Sequence, residues 1–152
     1  GRTGTAQAVL GNATRGLFAG GWPRTNTIDY VTIATTGNTV DFGDLTVSSG
    51  WKAGTAGLTR GMWIGGNGPS VTHNVIEYST IATTGNAIDF GDLRVANEGG
   101  TACSNATRAV YAGGFPPVYT DELQYMTIAT IGNATDFGDL IRSRTEFGGL
   151  SQ

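Results

Sequence analysis

Apolar residues along this chain fall into short runs, and the same order of runs occurs three times. An arginine, a short apolar run and a Gly pair occupy residues 15–21, 60–66 and 108–114. A run of β-branched and apolar residues around a central Tyr then covers residues 28–33, 76–81 and 123–128. Short runs bounded by glycines are typical of buried strands that end in turns, and no helical period is present. The pattern therefore predicts an all-β protein.

The most constant segment is TIATTGNTVDFGDL at residues 32–45, which returns as TIATTGNAIDFGDL at 80–93 and TIATIGNATDFGDL at 127–140. The copies start 48 and 47 residues apart. Units of about 40–50 residues, each with about four short strands, are typical of β-propeller blades. We predict four-stranded antiparallel blades over residues 1–46, 47–94 and 95–141, and residues 142–152 as the start of a further unit.

The number of units bears on how the predicted propeller closes. Propellers usually have about four to eight blades, so three units do not readily form a ring. We therefore expect residues 1–152 to be a single partial domain. It is either a section of a longer array or a half-ring that closes by dimerisation.

Composition excludes several functional classes. The chain has 39% apolar residues, 14% charged residues and 25 glycines, which together favour a turn-rich β protein over a disordered one. The net charge of −3 without a basic cluster argues against nucleic-acid binding. No apolar run approaches the ~20 residues of a membrane span. Cys103 lies in a small-residue strand pattern and is predicted to be buried.

The sequence predicts neither an active site nor a cofactor. Asp-Phe-Gly occurs in protein kinases, but there it works with a glycine loop and a His-Arg-Asp loop that this chain lacks. His73 is the only histidine, and no Ser elbow is present, so no hydrolase triad can be assembled. We therefore predict that the protein is not an enzyme.

Charged residues recur at equivalent repeat positions. We predict that the paired acids cap backbone amides in a turn or bulge, with Ca²⁺ binding as the alternative interpretation. The arginines are expected to pair with these acids in the same or the next blade, with sugar or anion recognition as the alternative. These positions are Arg15, Arg60, Arg108, Asp41, Asp44, Asp89, Asp92, Asp136 and Asp139.

The loops after each Gly pair and the linkers before each repeat differ between copies. In a four-stranded antiparallel blade these two sets of connections emerge on the same face, which we call the loop face. Variable aromatic and polar loops on a constant scaffold are typical of recognition surfaces, although loops also drift without function. The predicted binding residues are Trp22, Arg24, Trp51, Lys52, His73, Glu98, Phe115, Tyr119 and Asp121.

The order of Gly pair, loop and Tyr-bearing strand resembles the kelch type of blade, with Phe42, Phe90 and Phe137 where kelch repeats carry Trp. The long repeat motif also resembles tandem arrays in virion and tail proteins of marine bacteriophages, including cyanophages. This resemblance implies a structural or adhesion module located in the virion or on an extracellular surface. Its implied partners are other virion proteins, further copies of itself, or a host-surface glycan or protein. A carbohydrate-binding lectin with one site per blade is the alternative.

Overall fold

A computed structural model describes residues 8–115 and 119–150 of the chain. These residues contain twelve strands, which form three antiparallel four-stranded sheets, and they contain no helix. Sheet 1 contains β1 (Ala8–Gly11), β2 (Arg15–Ala19), β3 (Thr25–Thr32) and β4 (Val40–Ser49). Sheet 2 contains β5 (Ala53–Ala56), β6 (Arg60–Ile64), β7 (Val75–Thr80) and β8 (Ile88–Asp92). Sheet 3 contains β9 (Thr101–Ser104), β10 (Arg108–Ala112), β11 (Glu122–Thr127) and β12 (Thr135–Asp139). The prediction of an all-β protein is confirmed, whereas the propeller arrangement stays a prediction.

Each sheet is a meander in which consecutive strands pair in chain order. The first strands of the sheets lie side by side, because β5 packs against both β1 and β9. At this contact the backbone of Gly54 approaches the backbone of Val9 so closely that a side chain at position 54 would collide with it. The hydroxyl of Thr55 also hydrogen-bonds the Ser104 hydroxyl at 2.8 Å. The first strands of the three sheets, β1, β5 and β9, therefore connect the sheets in chain order through direct contacts.

The Asp-Phe-Gly segment of each repeat forms a β-bulge. In sheet 1, Ile28 pairs with Gly43 and Asp29 pairs with Asp41, so Phe42 is the extra residue. Gly43 has a φ of 146°, which favours glycine, and a Cβ there would collide with the next sheet. The same shift in register occurs in sheets 2 and 3, where Phe90 and Phe137 are the extra residues. The bulge gives this three-residue string a structural role in every repeat.

The hydrophobic core is divided into two clusters, one for each junction between consecutive sheets. The first cluster packs Leu17, Ile28 and Phe42 of sheet 1 against Trp63 and Ile81 of sheet 2. The second packs residues of sheet 2 against residues of sheet 3, among them Met62, Ile76, Phe90, Tyr111, Met126 and Ile128. Each sheet therefore buries its apolar surface against its neighbours in the chain, as expected for a repeat protein.

Backbone hydrogen bonds reinforce the junctions. Gly85 and Ala87 donate their N–H groups to the carbonyls of Phe42 and Asp44, at 2.8 and 2.7 Å. The Asn86 side chain accepts from the Asp44 N–H at 3.0 Å. Sheets 2 and 3 repeat the three bonds with Phe90, Asp92, Gly132, Asn133 and Ala134. We call the surface of a sheet that meets the following sheet its leading face, and the opposite surface its trailing face.

The repeated arginines cross these junctions, but their partners differ from the predicted acids. Arg15 donates to the Ile81 carbonyl at 2.9 Å, and Arg60 donates to the Ile128 carbonyl at 2.8 Å. Each guanidinium also lies over the Tyr of its own sheet, with Arg60 4.4 Å from the centre of the Tyr78 ring. Arg15 and Arg60 therefore join consecutive sheets through backbone carbonyls, and the predicted pairing of these arginines with the repeated aspartates was wrong.

Arg60 and Arg108 provide a matched pair for measuring this contact. Arg108 stacks on Tyr125 in the same way, at 4.7 Å, in the last described sheet. Because a hydrogen bond from a charged donor contributes about 1.5–3 kcal/mol, we expect Arg60→Ala to lower the free energy of unfolding by about 2 kcal/mol. Arg108→Ala should lower it by about 0.5 kcal/mol or less. Equal losses in urea denaturation at low protein concentration, where the chain is monomeric, would contradict the junction role.

Two further predictions concern single side chains. Cys103 is exposed, so its predicted burial was wrong. In β9 the neighbouring Ala102 takes the core position, and Cys103 lies on the opposite side of the strand. The predicted capping by the acids is confirmed at Asp136, whose carboxylate accepts from the Gly138 N–H at 3.0 Å. Asp136 also lies 3.5 Å from the Arg94 guanidinium.

Candidate recognition site

The variable loops and linkers meet around one open cavity of about 260 Å³. The linker before β5, the linker before β9 and the chain after β12 each contribute to its wall. The loops that follow the Gly pairs of sheets 2 and 3 complete it. The lining residues are Trp51, Asn67, Glu98, Gly99, Phe115, Tyr119, Thr145 and Glu146. Four of the nine predicted binding residues therefore share one cavity: Trp51, Glu98, Phe115 and Tyr119.

Three equivalent repeat positions form the backbone of this wall. Gly99 donates its N–H to the Trp51 carbonyl at 3.1 Å, and Glu146 donates to the Gly99 carbonyl at 2.7 Å. All three adopt the left-handed backbone conformation, with φ of 49° at Trp51, 66° at Gly99 and 55° at Glu146. For a residue other than glycine this conformation costs about 1–3 kcal/mol and requires support from its surroundings. Hydrogen bonds between the linkers provide that support.

Aromatic rings cover two sides of the cavity. Phe115 and Tyr119 contact each other with ring centres 5.1 Å apart. Trp51 packs against Trp22 at 6.0 Å, and the Arg24 guanidinium lies over the Trp22 ring at 4.5 Å. Trp22 and Arg24 thus extend the aromatic surface beyond the cavity. Arg24 also donates to the side-chain oxygen of Asn67, a lining residue, at 2.9 Å.

Two carboxylates give the cavity an acidic character. Glu146 is exposed at its rim, and Glu98 lies deeper, with one carboxylate oxygen buried and without a hydrogen-bond partner in the described part of the chain. Burial raises the pKa of the Tyr111 hydroxyl, and the negative charge of Glu98 acts in the same direction. A ligand that brings a hydrogen-bond donor or a positive charge would satisfy the buried oxygen of Glu98.

Lys52 does not lie on the loop face, contrary to its predicted exposure there. Its side chain is fully buried, with the ammonium 2.8 Å from a carboxylate oxygen of Glu77 and donating to the Gly65 carbonyl at 2.9 Å. The other oxygen of Glu77 accepts from the Thr46 N–H and hydroxyl at 2.6 and 2.7 Å. Burial lowers the pKa of Lys52, and Glu77 opposes that shift. The pair belongs to the core between sheets 1 and 2.

His73 and Asp121 belong to loops but do not line the cavity. His73 is partly buried, and burial together with the positive charge of Lys52 lowers its pKa, while the charge of Glu77 opposes that shift. Its carbonyl accepts from the N–H of Asn97, the residue before Glu98. Asp121 is exposed, and its carbonyl accepts from the Leu140 N–H at 2.7 Å. Both residues therefore connect their loops to neighbouring segments through backbone hydrogen bonds.

Four lining residues were not predicted from the sequence: Asn67, Gly99, Thr145 and Glu146. Gly99 and Glu146 occupy the repeat position of Trp51, and Thr145 occupies that of Glu98. Asn67 follows its Gly pair directly, as Trp22 and Phe115 follow theirs. Superposing the repeats in the sequence would have found them, because the cavity is built from equivalent positions rather than from conspicuous residue types.

No protein-family model matches this chain, and no curated protein matches it in sequence. Within residues 8–115 and 119–150, no helix is long and apolar enough to cross a membrane. The same residues contain no group of three or more His, Cys, Asp or Glu side chains placed to hold a metal ion. The Ca²⁺ interpretation of the paired acids therefore gains no support there.

Proposed function

We propose that this chain is a section of a kelch-like β-propeller that serves as a non-enzymatic structural or adhesion module. In this proposal it belongs to a phage virion or tail fibre and contacts a host surface or another protein through its loop face. The observation that supports it best is the gathering of variable residues around one cavity. The copied residues, in contrast, make the junctions between sheets.

The arrangement of the sheets is consistent with the propeller part of the proposal. Each sheet packs on the next with the same contacts, and the first strands lie side by side. In a propeller, the first strands of the blades line the central axis and consecutive blades pack face to face. The loops and linkers then gather near the axis on one face, where ligands of such scaffolds bind.

The cavity limits the chemistry of its ligand. Its volume of about 260 Å³ is just below the range of about 300–1,000 Å³ that is usual for small-molecule sites. One sugar ring or one side chain of a partner protein fits this size. Trp51, Phe115 and Tyr119 favour an apolar or planar ligand face. Glu98 and Glu146 favour hydrogen-bond donors or an amine and repel anionic groups.

Binding of the labelled chain to cells of marine cyanobacteria tests the adhesion role. We expect Trp51→Ala and Tyr119→Ala each to weaken binding about thirtyfold, because aromatic anchors dominate recognition surfaces. Leu58→Ala provides the control, since Leu58 is exposed in the turn between β5 and β6, at the opposite end of the sheet from the loop face. Unchanged binding by both aromatic variants, with folding intact by circular dichroism, would contradict a role for the loop face.

Carbohydrate binding is the second candidate, and the combination of aromatic rings with carboxylates favours it. The equivalent positions carry Trp51, Gly99 and Glu146, so a sugar site built on them would be single rather than one per blade. On a glycan array we expect signals for neutral or amine-bearing sugars and none for sulfated ones. Glu98→Gln should reduce the preference for amine-bearing sugars. A preference for sulfated glycans would contradict this assignment.

A further inference from the structure

The leading face of sheet 3 is exposed, although its equivalents are covered. Phe42 and Phe90 are 3% and 1% exposed at the two junctions, whereas Phe137 is 51% exposed. Phe137 occupies the same bulge and makes the same edge contact with its tyrosine, Tyr125, at 6.0 Å. Its side chain is therefore arranged for a junction that the described chain does not complete.

The trailing face of sheet 1 shows the complementary feature. Ile81 and Ile128 are 0% and 4% exposed beneath the arginine of the preceding sheet, whereas Ile33 is 58% exposed. Asn38 occupies the position of Asn86 and Asn133, whose side chains accept a backbone N–H from the preceding sheet. Sheet 1 thus carries the groups that a preceding sheet would contact.

We propose that these two faces bind each other between two copies of this chain, sheet 3 of one copy against sheet 1 of the next. The chain itself forms this junction twice, through equivalent residues each time. In the contact between copies, Arg108 would donate to the Ile33 carbonyl, as Arg60 does to Ile128. Phe137 would cover Ile33, and Asn38 would accept from the Asp139 N–H.

The two faces match at nearly every position of the junction. Sheet 3 supplies an arginine, a bulged phenylalanine and the Gly and Asp that follow it, as sheets 1 and 2 do. Sheet 1 supplies Ile33, Gly37 and Asn38 where sheets 2 and 3 have identical residues. Departures include Thr39, which stands where Ala87 and Ala134 are buried, and Asp29, which stands where Glu77 and Gln124 each accept a backbone N–H from the preceding sheet. The contact is heterologous, since each copy uses a different face.

Sedimentation velocity of the chain, over about a hundredfold range of concentration, measures this association. We expect the wild type to associate. Ile33→Asp and Phe137→Asp should each weaken association at least about a hundredfold, because either change places an unpaired carboxylate in the junction. Both residues are more than half exposed in the single chain, so both variants should keep the wild-type fold by circular dichroism at concentrations where the chain is monomeric. Val71→Asp is the matched control, since Val71 is also 58% exposed.

Mixing the two variants separates a head-to-tail contact from other forms of association. The Ile33→Asp chain keeps an intact leading face, and the Phe137→Asp chain keeps an intact trailing face. Their equimolar mixture should therefore form a pair that stops at two chains. A monomeric wild type at all concentrations, association that Ile33→Asp leaves unchanged, or a mixture that does not pair would each overturn the proposal. The readout is mass, so it is independent of the adhesion test.

Discussion

Replacing Lys52 by Met should lower the free energy of unfolding by about 3–5 kcal/mol, because a buried carboxylate would lose the cation that pairs with it. Glu77 is fully buried and lies 2.8 Å from the Lys52 ammonium. Adding Glu77→Gln should recover most of this loss. Gln124 occupies the equivalent position in sheet 3 and accepts the Arg94 N–H at 2.9 Å without any lysine. Urea unfolding followed by tryptophan fluorescence measures both variants.

The single variant Glu77→Gln completes the double-mutant cycle and adds a dependence on pH. Without Glu77, nothing offsets the burial that lowers the pKa of Lys52 below its usual 10.5. The unfolded state then binds more protons than the folded state between the two pKa values, so stability should rise with pH across that window. A Lys52→Met loss below about 1 kcal/mol, or no recovery in the double variant, would show that the pair is not coupled.

Phe90→Ala should also lower the free energy of unfolding by about 3–5 kcal/mol, as is usual for removal of a buried phenylalanine. Phe90 lies between sheets 2 and 3 and makes an edge contact with Tyr78 at 6.1 Å between ring centres. Phe137→Ala is the matched control in sheet 3. We expect Phe137→Ala to lower the free energy of unfolding by about 1 kcal/mol or less, since the Phe137 side chain is 51% exposed.

The comparison of Phe90 with Phe137 is best made at low protein concentration, where association between chains contributes nothing. Equal losses there would mean that the two phenylalanines are equally buried in the single chain, contrary to the structure. If the loss at Phe137 instead grows with concentration, the extra stability comes from the contact between copies. Denaturation at two concentrations therefore distinguishes packing within a chain from packing between chains.

Much of the fold could be predicted from the sequence because the repeats multiply each local signal. The Gly pairs, the central tyrosines and the constant hairpin mark the same three strands in every unit. The Asp-Phe-Gly bulge was predictable as well, since glycine after a strand residue indicates an unusual dihedral. The repetition also separated the constant residues, which make the junctions, from the variable loops.

Other features could not be predicted, because their partners are distant in sequence or belong to the main chain. Arg15 and Arg60 donate to backbone carbonyls, which no side-chain pattern reveals. Lys52 stands beside Trp51 in a variable linker, and only the fold brings Glu77 to it. The cavity could not be predicted from the sequence for a similar reason. Its wall depends on the backbone conformation of positions 51, 99 and 146, of which only Gly99 has the expected residue type.

The junctions between sheets rely on main-chain hydrogen bonds and on residues that every copy retains. A junction of this kind does not distinguish which two copies it joins. Recombination that removes residues 47–94 would place sheet 1 directly against sheet 3, with Gly132 donating to the Phe42 carbonyl and Gln124 accepting from Thr46. A chain shortened in this way should therefore still fold, and it would bring a different set of loops together.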